Sequence, residues 1–296
     1  MNLTNPSELK ILLSKHGFRF SKAMGQNFLI AAWVPERIAA EAGIDAQTGV
    51  LEVGPGVGCL THELAQYAGK VVAVELDERL RPVLSETLAD CENAEVVFGD
   101  VLKQNLPALV REKFDGLRPV VCANLPYNVT SPLLTAFLEA GCFETVTVMI
   151  QREVARRLCA RPGTADYGAF TVFTQWHAQP EILFDVSPGC FLPAPKVTSS
   201  VVQLTVRKTP PIALQDEKRF FAVVRAAFNQ RRKTLVNALA AGLSGYTKEQ
   251  ITEAIIACGL DEKIRGEALG IPEFAALADR LGNLPLGEKA ARSEAE

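Results

Sequence analysis

Val50-Leu51-Glu52-Val53-Gly54-Pro55-Gly56-Val57-Gly58 is the stretch on which the fold turns. Its first four residues are a short, mostly apolar run closed by glycines, which reads as a buried strand. Residues 60–67 then take up helical spacing. The same phrase recurs down the chain. Residues 71–74 form an apolar run ending at Glu75, residues 96–98 one closing at Gly99-Asp100, and residues 119–123 one ending at Asn124-Leu125-Pro126-Tyr127, with residues 146–150 a fifth. Helical segments separate them: Asp77 is placed to cap one that tolerates Pro82 near its start, and residues 133–139 form another. Apolar strands alternating with helices predict an α/β chain with a mostly parallel sheet covered on both faces.

Outside this alternation, residues 6–15 read as a helix with Leu9, Leu12 and Leu13 on one side, and residues 33–42 as a second helix stopped by Gly43. After residue 151 comes an Arg-rich helix carrying Arg152, Arg156 and Arg157, and the alternation of residues 201–206 predicts a strand in an antiparallel hairpin at the sheet edge. Pro210-Pro211 reads as a linker. Beyond it helices are predicted over 217–228, 231–241, 248–257 and 272–281, with a frayed tail over 289–296. The expected division is therefore 1–209 and 210–296. Trp33 and Trp176 read as packing residues.

Of the 296 residues, 48% are apolar and 22% charged, which excludes a disordered chain. No apolar run approaches the roughly 18 residues that span a bilayer, and the first residues lack a secretory pattern, so a cytoplasmic chain with no membrane partner is expected. None of the seven cysteines forms C-x-x-C, and the three histidines (His16, His62, His177) lie far apart, so neither a disulfide framework nor a metal site is expected. The net charge of −3 hides an asymmetry. From Lys218 to Lys248 there are seven basic residues and no acid, among them Arg225, Arg231, Arg232 and Lys233. A solvated helix face accounts for such a run, and so does a phosphate-binding surface.

Ligands of open α/β sheets bind at the carboxyl ends of the strands, and the chemistry-bearing residues fall there. Gly54, Gly56 and Gly58 let backbone approach a ligand; Cys59 occupies the position where a dinucleotide fingerprint needs its third glycine. Glu75, with Leu76 beside it, is either an acceptor for ribose hydroxyls or a solvent-facing loop acid. Asp100 either accepts from an adenine amine, with Val101 against the ring, or caps the residues after it. Together these describe an adenosine pocket that suits S-adenosylmethionine better than NAD. Asn124-Leu125-Pro126-Tyr127 offers two acceptors for an exocyclic amine, the Asn124 side chain and the Leu125 carbonyl. Pro126 stiffens the turn, and Tyr127 offers a face for a base to stack on. Phe191, in the proline-stiffened run Phe191-Leu192-Pro193-Ala194-Pro195-Lys196, is either a clamp for the other face of that base or a core aromatic.

With Gly25-Gln26-Asn27-Phe28-Leu29 and the run 228–239 added, these stretches resemble, in order and over about residues 15–278, the ribosomal RNA adenine dimethylase family. Within it they are most similar to the bacterial small-subunit (16S) rRNA adenine N6,N6-dimethyltransferases. Val57 and Cys59 depart from common family choices without touching a role. The resemblance implies a Rossmann-like class I S-adenosylmethionine methyltransferase sheet with a small all-helical C-terminal domain. It implies four methyl transfers to two adjacent adenosines near the 3′ end of 16S rRNA in an immature small subunit, by a monomer that releases S-adenosylhomocysteine. It adds Gln26, Asn27 and Leu29 to the cofactor residues and lets Asn124 through Tyr127 and Phe191 hold the adenine. The rRNA-contacting set becomes Arg152, Arg156, Lys196, Arg225, Arg231, Arg232 and Lys233. A large-subunit rRNA dimethylase, a non-catalytic RNA-binding assembly factor and, last, a NAD dehydrogenase are the alternatives.

Overall fold

A computed structural model describes residues 1–20 and 25–285; the tail expected to fray lies outside them. Nine strands are present among the described residues: β1 Phe28–Leu29, β2 Thr48–Val53, β3 Lys70–Glu75, β4 Ala94–Phe98, β5 Arg118–Asn124, β6 Thr145–Gln151, β7 Ala178–Val186, β8 Phe191–Leu192 and β9 Ser199–Val206. Seven of them form one sheet in the order β4-β3-β2-β5-β6-β9-β7. The first five run parallel, with Val50 opposite both Val71 and Val120. β9 and β7 complete the edge antiparallel, as the alternation of residues 201–206 predicts. All six residues of β2 are buried. Successive side chains of a strand point to opposite faces, so both faces of the central strand are covered.

The chain divides into two units. The first holds Met1–Ala155 and Ala178–Val206; the second holds residues 156–177 together with the chain from Arg207 onward. The expected boundary at 209/210 therefore misses an excursion. Residues 156–177 join the helical unit because their apolar side chains belong to its core: Tyr167, Val172 and Trp176 pack with Phe220, Leu235 and Phe274. The Trp176 and Phe220 rings lie 4.7 Å apart, and the Tyr167 hydroxyl donates to the Leu269 carbonyl at 2.8 Å. This unit's helices include Glu217–Asn229, Leu235–Gly242, Lys248–Ala257 and Ile271–Gly282. The second starts four residues later than its spacing predicts. Lys233 closes a turn onto the Gln230 carbonyl, and Thr234 caps the helix by accepting from the Asn237 amide, which leaves Arg231, Arg232 and Lys233 outside it.

Two local features of the first unit are not apparent in the sequence. β1 and β8 form a two-stranded ribbon that pairs Leu29 with Phe191. Trp33, read from the sequence as a packing residue, does pack but stays 44% exposed. It stands at the start of helix Trp33–Glu41, with one face against Phe184, over which the Arg37 guanidinium also lies.

Candidate active site

The carboxyl ends of β2, β3 and β5 and the turn after β4 surround a cavity of about 290 Å³. β2 ends in a backbone turn that the first glycine makes possible: Gly54 has φ +72° and donates to the Val74 carbonyl at the tip of β3. Gly56 lines the cavity and donates its N–H to Glu75 at 3.3 Å. Gly58 does not line it. It has φ +89° at the start of helix Cys59–Ala65, and a Cβ there would meet Leu88 at 3.0 Å. Its requirement is a turn and a close contact, which corrects the expectation of a ligand contact.

Glu75 is 5% exposed, so the solvent-facing alternative fails. One oxygen accepts from the Asp77 amide at 2.8 Å and the other from Gly56, which aims the carboxylate across the cavity; burial raises its pKa. Leu76 and Val101 flank it on the cavity wall. Asp100 does both of the things its sequence allows: it accepts from the Leu102 amide as a cap, and it lines the cavity. Gln26, Asn27 and Leu29 line it as well. Gln26 donates to Asp77 at 2.8 Å, and Asp77 is also gripped by the Arg79 guanidinium through both oxygens.

At the tip of β5, the Leu125 amide donates to the Met149 carbonyl, which continues the strand pairing through the turn. The Asn124 side-chain amide donates to the Asn27 carbonyl at 3.4 Å, which leaves its oxygen as the group to accept a further hydrogen bond. Asn124, Leu125, Pro126 and Tyr127 all line the cavity. The Tyr127 ring is half-buried and anchored by a 2.6 Å hydrogen bond between its hydroxyl and Ser199, the first residue of β9. Burial raises the Tyr127 pKa. Nothing local in the sequence marks Ser199 as that anchor. Phe191 is not brought to the cavity: it is 2% exposed, held opposite Leu29 and packed with Cys190 and Val201 in the core. The core alternative is the one the structure takes, because an apolar ring at that ribbon position gains more from burial than from solvent.

Glu52, to which the sequence assigns no role, is the most informative residue. It lines the cavity, is 1% exposed, and one of its carboxylate oxygens has no hydrogen-bond partner. Burial, reinforced by the Glu75 carboxylate, pushes its pKa up to about 8. Three carboxylates thus face the cavity, and among the described residues no Lys, Arg or His lines it. Glu52 keeps its proton below about pH 8, and with Glu75 and Asp100 beside it and no basic side chain opposite, the wall disfavours a pyrophosphate and favours a cation. A nucleoside bearing a sulfonium and an ammonium fits that donor set; a nicotinamide dinucleotide does not.

The basic candidates lie in both units. In the first, Arg152 reaches Asp185 at 3.5 Å and Lys196 is exposed. In the second, Arg156, Arg225, Arg232 and Lys233 are exposed. Arg231 differs: its guanidinium donates to the Ala165 and Tyr167 carbonyls and reaches Glu267, so it braces residues 156–177 against the later helices.

The family model for ribosomal RNA adenine dimethylases matches residues 17–280. Two proteins named ribosomal RNA small subunit methyltransferase A are similar over nearly the whole chain. The one from Alkaliphilus metalliredigens is 46% identical over 93% of this chain and 96% of its own, and that from Geobacillus thermodenitrificans 45% identical over 95% and 97%. Among solved structures, 23S rRNA methyltransferase ErmE matches with a TM-score of 0.65 at 29% identity, covering 87% of this chain and all of that one. A dimethyladenosine transferase from Plasmodium falciparum matches in fold, with a TM-score of 0.70 at 24% identity over 84% and 95%.

Proposed function

Because the chain belongs to the ribosomal RNA adenine dimethylase family, we propose that it methylates N6 of two adjacent adenosines near the 3′ end of 16S rRNA, twice each, during small-subunit biogenesis. The observation that carries this reading is a carboxylate-walled cavity with no basic lining among the described residues, opening beside the Asn124–Tyr127 turn. When bound, S-adenosylmethionine supplies a methyl group made electrophilic by its sulfonium and leaves as S-adenosylhomocysteine. Gln26, Asn27, Leu29, Gly54, Gly56, Glu75, Leu76, Asp100, Val101 and Asn124 are the cavity residues that would hold it.

The chain's own residues then have a positioning task. The lone pair of an exocyclic amine is delocalised into its ring. The Asn124 oxygen and the Leu125 carbonyl accept its N–H groups and orient it, while the ring of Tyr127, fixed by Ser199, carries the base. A strong base is not required. The first methyl leaves one N–H on the nitrogen, so one of the two acceptors suffices to orient it for the second. Phe191, sealed in the core, has no part in this reading. Arg152, Arg156, Lys196, Arg225, Arg232 and Lys233 supply phosphate contacts. Arg231 contributes through the fold of its unit.

The substrate in this reading is rRNA within an immature small subunit, and the enzyme acts as a cytoplasmic monomer. No helix among the described residues is long and apolar enough to cross a membrane. The test uses small and large subunits from cells lacking this protein, incubated with the purified chain and methyl-labelled S-adenosylmethionine, with the modified nucleotides then mapped. Dimethylation of two adjacent small-subunit adenosines is expected. Label in large-subunit RNA alone moves the target to the alternative substrate, and cofactor binding without transfer replaces catalysis by an assembly role.

A further inference from the structure

A second group of chemistry-bearing side chains lies in the first unit, outside the carboxylate-walled cavity. His62 belongs to helix Cys59–Ala65, and Asp90 and Cys91 follow helix Arg81–Thr87. The two segments meet because the tight turn at Gly58 seats the start of the first helix against Thr87 and Leu88. This contact brings together an imidazole, a carboxylate and a thiol whose ligand atoms all lie within 4.8 Å of one another. His62 Nε2 stands 3.5 Å from one Asp90 oxygen, and Cys91 Sγ 3.8 Å from the other. Around a tetrahedral zinc ion, ligand atoms of these kinds stand about 3.4–3.6 Å apart. The Asp90 side chain is 75% exposed and the His62 side chain 40% exposed, so side-chain rotation alone can close the remaining difference.

His62 and Asp90 also line a separate cavity of about 400 Å³ whose wall includes Glu36, Glu63 and Glu86. Among the described residues Glu36, Glu63, Glu86 and Asp90 line it with no Lys or Arg side chain; Glu86 is ion-paired with Lys15 at 2.8 Å, so Glu36, Glu63 and Asp90 are the carboxylates that draw a cation there. The donor set refines that preference: nitrogen, oxygen and sulfur together select a borderline transition ion over Mg²⁺ or Ca²⁺, which take oxygen. We propose that His62, Asp90 and Cys91 form a binding site for a divalent transition cation of the zinc class, with a fourth position left to water or a neighbouring carboxylate. The ion ties the helix that begins at the glycine turn to the segment that follows helix Arg81–Thr87. Binding replaces the Cys91 thiol proton, which passes to solvent, and no redox change is involved.

The test is titration of the metal-free full chain with Co²⁺, followed by displacement with Zn²⁺. One equivalent of Co²⁺ is expected to give a thiolate-to-cobalt charge-transfer band in the near ultraviolet together with the visible bands of a tetrahedral ion, and Zn²⁺ should abolish both. Cys91→Ser should remove the charge-transfer band, and His62→Gln should weaken binding by about tenfold or more. His62→Gln should match the wild type in urea midpoint without metal, because this side chain is partly exposed, whereas Cys91→Ser should lose only the small packing contribution of a side chain set against the cluster that holds Leu84 and Leu88, which is read from its metal-free midpoint. Zn²⁺ should raise the melting temperature of the wild type and leave that of the double variant unchanged. A charge-transfer band that survives in Cys91→Ser assigns the metal to another cysteine and overturns the proposal. So does a wild type that binds no more tightly than the double variant.

Discussion

Replacing Glu52 with Gln isolates the contribution of one buried carboxyl to the cavity's electrostatics. The folded chain holds this carboxyl near 8, against an ordinary value of 4.5, because burial penalises its charge and Glu75 adds to the penalty. At 1.36 kcal/mol per pH unit, that difference corresponds to about 5 kcal/mol against the ionised form. The sign follows from proton counting. Between pH 4.5 and 8 the native state keeps a proton that the unfolded chain has released. The stabilising contribution of Glu52 is therefore complete below pH 4.5 and is lost as pH rises to 8. Gln does not titrate. In urea unfolding from pH 5 to 9, Glu52→Gln should gain on the wild type by about 4 kcal/mol by pH 8 and then level off. A constant offset from the amide's own hydrogen-bonding needs leaves that slope untouched. The same carboxylate, once ionised, supplies a countercharge for a cationic ligand. Wild type should therefore prefer S-adenosylmethionine over the uncharged thioether S-adenosylhomocysteine more strongly at pH 8.5 than at pH 6.5, and Glu52→Gln should lose that pH dependence. A stability gap between variant and wild type that stays flat across this range would refute the burial argument.

Asn124→Ala should abolish methyl transfer, by about a hundredfold or more, while calorimetry shows S-adenosylmethionine binding mostly intact, since the side chain's larger task is to orient the amine. Tyr127→Phe keeps the ring and loses only the hydrogen bond to Ser199, so it should cost about 1 kcal/mol of stability and leave KM for the subunit nearly unchanged. Tyr127→Ala should raise that KM by roughly tenfold, the worth of one stacked base. Arg231→Ala should destabilise the helical unit by about 1 kcal/mol in urea, through the part-buried Tyr167 carbonyl left without its donor, while the exposed Ala165 carbonyl turns to water. Arg232→Ala should leave the urea midpoint unchanged and instead lower the salt slope of RNA binding by about one.

The sheet and the strand-end part of the site were legible because their signals are local. An apolar run closed by glycine or an acid declares a strand and its end, and parallel packing then brings Gly54, Glu75, Asp100 and Asn124 to one rim without further information. The glycine turn, the capping acid and the Asn124–Tyr127 tetrapeptide are all contiguous stretches read from neighbours a few residues away. The interruption at Arg231–Lys233 was missed by the same local logic, since helical spacing continued through a turn that Thr234 ends with a cap.

What tertiary structure alone decided depends on partners distant in sequence. Whether Glu75 is buried, whether Phe191 faces a ligand or the core, and whether residues 156–177 belong with the first unit or the second are settled by which apolar surface each segment finds to cover it. The orphaned Glu52 oxygen and the meeting of His62 with Cys91 are further cases, since a desolvated charge and a ligand cluster are properties of a volume. Composition and periodicity set the strands, helices and turns, because those are governed by backbone geometry and near neighbours. The dielectric around a carboxylate and the distance between two side chains are governed by everything packed around them, and only the folded chain supplies that.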